Sequence, residues 1–127
     1  DTANYRVQIF DKDGKFISKF GQVGTSAGSF ARPKGISVDS EGHIYVADGA
    51  FNNFQIFDEE GQSLLPVGMG GNAPGFFVLP LGIYIDEQDR IYVADQYNHR
   101  IQAFQFISER WKKDNPDKYQ KLITEGL

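Results

Sequence analysis

A pattern that returns every forty-seven residues constrains this chain more than any other feature. Gly82 to Phe104 reads GIYIDEQDRIYVADQYNHRIQAF, Gly35 to Phe57 reads GISVDSEGHIYVADGAFNNFQIF, and Asp1 to Phe10 opens the chain partway through a further copy. Gly35 pairs with Gly82, Asp39 with Asp86, and Ile44 to Asp48 with Ile91 to Asp95. Val7, Phe54 and Ile101 correspond, as do Gln8, Gln55 and Gln102. The offset never slips, so every copy has one set of element lengths, as a structural repeat requires.

Within a copy the residues are β-branched and aromatic in short runs divided by turn signals, the mark of consecutive antiparallel strands. Gly35 to Asp39 and Ile44 to Asp48 flank Ser40-Glu41-Gly42-His43, a hairpin turn in which Gly42 can take positive φ. The next copy has Asp89 there, a residue that tolerates the left-handed region. Phe54 to Phe57 makes a third strand, and the turn Asp58-Glu59-Glu60-Gly61 leads to a fourth, Ser63 to Val67. The same turn recurs at Asp11-Lys12-Asp13-Gly14 before Phe16 to Phe20. Glycine-rich crossings, 21–33 and 68–80, end in a proline two residues before the glycine of the next strand.

Four antiparallel strands and a crossing are the plan of a propeller blade. The fold class expected is all-β: an incomplete β-propeller of four-stranded antiparallel blades, about two and a half of them, with a short C-terminal helical tail. Residues 1–107 form the propeller part, with a partial blade at 1–20, a full blade at 33–67 and a last blade at 80–106; residues 108–127 form the tail. Asn115-Pro116-Asp117 predicts a helix start with proline in the first turn, and Tyr119, Leu122 and Ile123 share one helical face. The tail is expected along the outer edge of the last blade, over its unpaired strand.

At 127 residues and 40% apolar, the chain can bury one ordinary core. It has no cysteine, which removes disulfides, thiolate metal sites and cysteine nucleophiles. The net charge of −4 weighs against nucleic acid, since phosphate binding depends on clustered Lys and Arg. No apolar run nears the ~18 residues of a membrane-spanning helix. Because the chain begins at Asp1 inside a repeat, it is read as the C-terminal part of a longer protein and is silent on targeting.

The motif P-x-G-I-x-V-D, then I-Y-V-A-D, then N-H-R-I-Q-x-F, resembles the NHL repeat. Pro33, Gly35, Asp39, Tyr45, Asp48, Asn98, Arg100, Gln102 and Phe104 stand in motif positions, and the resemblance covers Asp1 to Phe104. The signature is complete only once: Phe51-Asn52-Asn53 and Asn4-Tyr5-Arg6 stand where the last copy has Asn98-His99-Arg100. The resemblance implies a six-bladed parent propeller. An open row of blades would leave edges and apolar faces bare, so self-association is expected. The family is common in bacterial exported proteins as well as in animal cytoplasmic ones, and the absence of cysteine and the bare repeat lean towards a bacterial extracytoplasmic location, periplasmic or secreted.

Residues that recur with the repeat are read as frame. Asp95 and Arg100, echoed by Asp1 and Arg6, are expected to staple loops, Asp95 accepting backbone hydrogen bonds and Arg100 pairing with a neighbouring carboxylate. Asp39 and Asp86 begin hairpin turns rather than ligate calcium. His43 and His99 occupy different places in the repeat, at opposite ends of a blade, so they cannot share a metal. Asp11-Lys12-Asp13-Gly14 lacks the distal glutamate of a calcium loop, Gly68-Met69-Gly70-Gly71 lacks a following Lys-Ser or Lys-Thr, and no serine has a histidine base. No catalytic residue, metal ligand or cofactor is assigned. What does not repeat is read as the binding face, formed by the crossings and the loops after the second strands: Phe30, Arg32, Lys34, Phe51, Asn52, Phe76, Tyr97, Asn98 and His99. The functional reading is a non-catalytic scaffold that presents these loops to a protein or small ligand. The alternatives are a lyase or metal-dependent hydrolase whose site lies mostly in earlier blades, and RNA binding.

Overall fold

The computed structural model describes residues 1–126. Nine strands form three antiparallel sheets. The first holds β1 (Val7–Phe10) and β2 (Phe16–Phe20); the second holds β3 (Pro33–Val38), β4 (Ile44–Asp48), β5 (Asn53–Phe57) and β6 (Ser63–Val67). The third holds β7 (Pro80–Ile85), β8 (Arg90–Asp95) and β9 (Arg100–Gln105), and the helices α1 (Glu109–Asp114) and α2 (Pro116–Glu125) follow. Strand order in each sheet is the chain order, the meander of a propeller blade. The expected fold class is therefore found.

Each blade starts at its proline. Pro33 pairs with Asp48 and Pro80 with Asp95, and the register then shifts before Ile36 and Ile83, so the missing N–H falls at a bulge. The glycine after each bulge serves close approach. A Cβ on Gly35 would lie 2.5 Å from the Leu81 carbonyl oxygen, because the innermost strands β3 and β7 converge there.

The core lies between sheets. Tyr45, Ala47 and Phe54 of the middle blade meet Ile83, Ile85, Ile91 and Val93 of the last, with Phe77 from the crossing set among them. Val7 of the first sheet meets Ile44, Val46 and Phe57, with Phe30 in the place of Phe77. The rings pack edge to face, Phe30 on Phe57 at 5.5 Å and Phe54 on Phe77 at 6.1 Å.

The tail does not follow the edge of the last blade as expected. β9 is the last strand of its sheet, and α1 instead buries Trp111 at the hairpin end. The reason is a set of polar anchors at the hairpin end of the blades: Arg110 donates to the Glu87 carbonyl at 3.3 Å, the Glu109 amide donates to Glu41 at 2.8 Å, and Ser108 donates to Asp89. Ser108 also caps α1 by accepting from the Trp111 amide at 3.1 Å, and Pro116 opens α2. No helix among the described residues is long and apolar enough to cross a membrane.

Candidate functional site

At the end opposite the tail, each crossing folds onto the loop between the second and third strands of a blade. The repeat supplies four side chains for this join. In the last blade they are Asp95, Asn98, Arg100 and Gln102. Asp95 is fully buried. Its Oδ1 accepts the Val78 amide at 2.8 Å, and its Oδ2 accepts from Asn98 at 2.9 Å, Arg100 at 2.8 Å and Gln102 at 3.2 Å. Burial pushes the Asp95 carboxyl up, but the Asn98 amide, the Val78 N–H, Arg100 and Gln102 together outweigh it and hold the group below the ordinary carboxylate range.

Arg100 pairs with Asp95 of its own loop rather than with a neighbouring segment. Its two terminal nitrogens reach instead to the carbonyls of Asn72 at 2.8 Å, Ala73 at 3.0 Å and Phe76 at 2.9 Å. Gln102 completes the clamp by donating to the Phe76 carbonyl and accepting from the Gly75 amide. Asp1, Asn4, Arg6 and Gln8 make the same cluster, with Arg6 at 2.7 Å from Asp1.

The middle blade keeps the aspartate and glutamine and loses the two residues between. Gln55 donates to the Ser29 carbonyl at 2.9 Å and accepts from the Gly28 amide at 3.2 Å, copying Gln102. Asp48, fully buried, accepts four backbone N–H groups, from Ala31, Arg32, Ala50 and Phe51, and no cationic side chain. Phe51 and Asn53 replace the asparagine and arginine. A cavity of about 360 Å³ opens there, lined by Thr25, Ser26, Ala27, Phe51, Asn53, Gln55, Ser63 and Pro66.

The nine residues expected on the binding face divide. Arg32, Lys34, Phe76, Tyr97 and His99 are exposed, Tyr97 at 69%. Phe30 is fully buried, against expectation, because Val23 and Phe30 bridge and turn its ring into the core between sheets. Asn98 is held in the clamp, donating also to the Gly71 carbonyl at 3.0 Å. Asn52 is half-buried in the left-handed region and accepts the Leu79 amide at 2.9 Å, a bond from blade to crossing. Phe51 is half-buried and walls the cavity. His99, at the loop end, stands at the same left-handed position as Asn52 and Tyr5.

The hairpin end is frame. Asp39 accepts the amides of Glu41 and His43, the His43 ring and the Tyr45 hydroxyl; Asp86 accepts the equivalent set from Gln88, Arg90 and Tyr92. Burial, then the bond to Asp39, raises the Tyr45 hydroxyl above its ordinary range. Asp89 does more than turn the hairpin. It is buried and accepts the Ser40 amide at 2.8 Å, the Ser40 hydroxyl at 2.7 Å and the Ser108 hydroxyl. Among the described residues, no three His, Cys, Asp or Glu side chains converge as metal ligands would.

Comparison with known proteins places these features. The family model for the NHL repeat matches residues 30–57 and 77–104. The chain is 42% identical over 48 residues to RING finger protein nhl-1 of Caenorhabditis elegans, covering 38% of this chain and 5% of that protein. Among solved structures it is similar to a protein from Bacteroides thetaiotaomicron, with TM-score 0.60 and 21% identity over 83% of this chain and 31% of that one. A streptogramin B lyase gives TM-score 0.57 and 11% identity, covering 86% of this chain and 36% of that one. An auxiliary nutrient binding protein from Bacteroides thetaiotaomicron gives TM-score 0.57 and 15% identity, covering 79% and 32%. The chain thus covers 31–36% of the length of these structures, and at such identities they speak to fold alone. The repeat is thus matched in both of its long copies and the sheets are arranged as blades, so residues 30–57 and 77–104 carry NHL repeats in a β-propeller arrangement.

Proposed function

We propose that this chain is a non-catalytic binding scaffold that offers the loop-bearing end of its blades to a protein or small ligand. The observation that carries the reading is a division of labour. The recurring polar residues are each consumed in turns and clamps, whereas Arg32, Lys34, Phe76, Tyr97 and His99 stand exposed at the loop end without a repeated structural task. Exposed aromatic and arginine side chains on loops held by a rigid frame are the material of binding hot spots. Association between copies through the bare apolar ends of the blade row belongs to the same reading.

The test compares capture from a lysate of the cells that make the protein. Wild type, Phe76→Ala/Tyr97→Ala and the hairpin-end control Glu59→Ala/Glu60→Ala serve as bait. A partner lost by the loop-end pair and kept by the control supports the scaffold. Equal capture by all three, or capture by none, overturns it.

A further inference from the structure

The cavity of the middle blade has the shape of a missing side chain. In the last blade, Arg100 runs from Asp95 to three carbonyls of the preceding crossing. The forty-seven-residue offset maps those carbonyls, at Asn72, Ala73 and Phe76, onto Thr25, Ser26 and Ser29. The local geometry is also preserved. The Ser29 amide donates to the Ser26 carbonyl at 3.0 Å as the Phe76 amide donates to Ala73 at 3.0 Å, and Gln55 holds the Ser29 carbonyl as Gln102 holds Phe76. The guanidinium is gone, because Asn53 stands where Arg100 and Arg6 stand in the other copies, and Phe51 replaces the asparagine beside it.

The consequences are electrostatic. Asn53 Oδ1 is buried without any donor, the one such side-chain atom among the described residues. Across the ladder from Asn53 lies the buried Asp48 carboxylate, without a cationic partner. The cavity, with Thr25 and Ser26 in its wall and the orphaned amide oxygen and the buried Asp48 carboxylate behind that wall, favours a donor-rich cation. A buried acceptor without a donor is destabilising, so a group that brings N–H donors to this wall is favoured. A guanidinium fits better than an ammonium because its planar fork reaches several carbonyls at once, as Arg100 does next door. Phe51, Ala27 and Pro66 supply apolar walls for an alkyl stem, and the cavity's 360 Å³ leaves space for both parts.

We propose that the cavity bounded by Thr25, Ser26, Phe51, Asn53 and Ser63 is a binding site for an alkylguanidinium, supplied by an arginine side chain of a partner or by a free guanidino compound. It rests on the scaffold reading only for the partner; the cavity itself follows from the repeat.

Methylguanidinium at millimolar concentration, followed by amide NMR, is the test. Saturable shifts are expected at Ser26, Gly28, Ser29 and Asn53, with at least tenfold weaker binding of methylammonium. Asn53→Arg should fill the site from within, abolish the shifts and raise Tm by about 3–6 °C. Asn53→Met should abolish the shifts without that gain. Arg100→Asn should create a second site, seen as new shifts at Ala73 to Phe76. N-acetylarginine amide against an arginine-bearing peptide separates the sources: equal affinity points to the free compound, tighter peptide binding to a partner. Unsaturable shifts in wild type, or shifts that persist in Asn53→Arg, overturn the proposal. Methylguanidinium binding without any loop-end capture would reject the scaffold reading and leave the cavity standing.

Discussion

Asp89 shows how one residue acquires a second task. Its turn demands positive φ, met at 58°, where the other full copy has Gly42 at 85°. Its carboxylate then ties the Ser40 turn of the middle blade to Ser108 at the head of α1. Asp89→Gly keeps the turn and loses the tie, and should cost about 2–4 kcal/mol, since one amide and two hydroxyls lose a charged acceptor. Asp89→Ala should cost roughly 1 kcal/mol more, because alanine disfavours the left-handed backbone. Denaturant melts of the two variants read that difference. The pH response has a defined sign. Burial pushes the Asp89 carboxyl up, but Ser108, Ser40 and the Arg110 charge outweigh it and hold it below the ordinary range. Its stabilisation is therefore complete above the unfolded value, near about 4, and is lost as pH falls through the lower folded value. The stability gap between wild type and Asp89→Asn should shrink below about pH 4; a constant gap would show that the carboxylate charge does not matter.

At the scale of elements, the repeat made the blades legible because strand, turn and crossing residues occur at fixed spacing, and Pro33, Gly42 and Asp58 each carry a local backbone reason. The tail was legible only in part. Pro116 announces α2, whereas α1 is short and its position depends on contacts from Glu41, Glu87 and Asp89, far away in sequence. Phe30 misled for a similar reason: a loop aromatic reads as exposed until the bridge to Val23 turns it inward. In the sequence the Asp95 residues read as a local staple, but the reach of Arg100 across the crossing to Asn72 and Phe76 is long-range, and so is the gap that Asn53 leaves. The tail carries its own reporter, since Trp111 is the single tryptophan and is buried. Ser108→Ala removes both the α1 cap and the bond to Asp89, so it should free the tail before the blades unfold. The expected readout is a red shift of Trp111 emission at a denaturant concentration that leaves the far-ultraviolet strand signal intact. A single coincident transition would show instead that tail and blades form one cooperative unit.

For the whole molecule, the repeat lets the same position be compared with and without a neighbour. Ile83 and Ile85, packed against the middle blade, are 9% and 8% exposed, while their counterparts Ile36 and Val38 are 53% exposed each. At the other end, Tyr45 and Phe54 are covered by the last blade at 2% and 1%, while Ile101, the counterpart of Phe54, is 71% exposed. The two bare faces are the two halves of a blade-to-blade contact. An apolar cleft of about 410 Å³ beside Ile36 and Val38, walled by Val7, Ile9, Ile17 and Ile44, extends the first of them. Exposed apolar surface of this kind drives association, and faces that differ at the two ends join head to tail. Light scattering should find mass rising with concentration for wild type. Ile36→Lys/Val38→Lys should stop that growth, as should Tyr92→Lys/Ile101→Lys at the opposite end. Mixed in equal amounts, the two variants should form dimers and nothing larger, because each retains one competent face. A monodisperse wild-type monomer at high concentration would defeat the idea outright. Association that survives both double substitutions would move the contact to another surface.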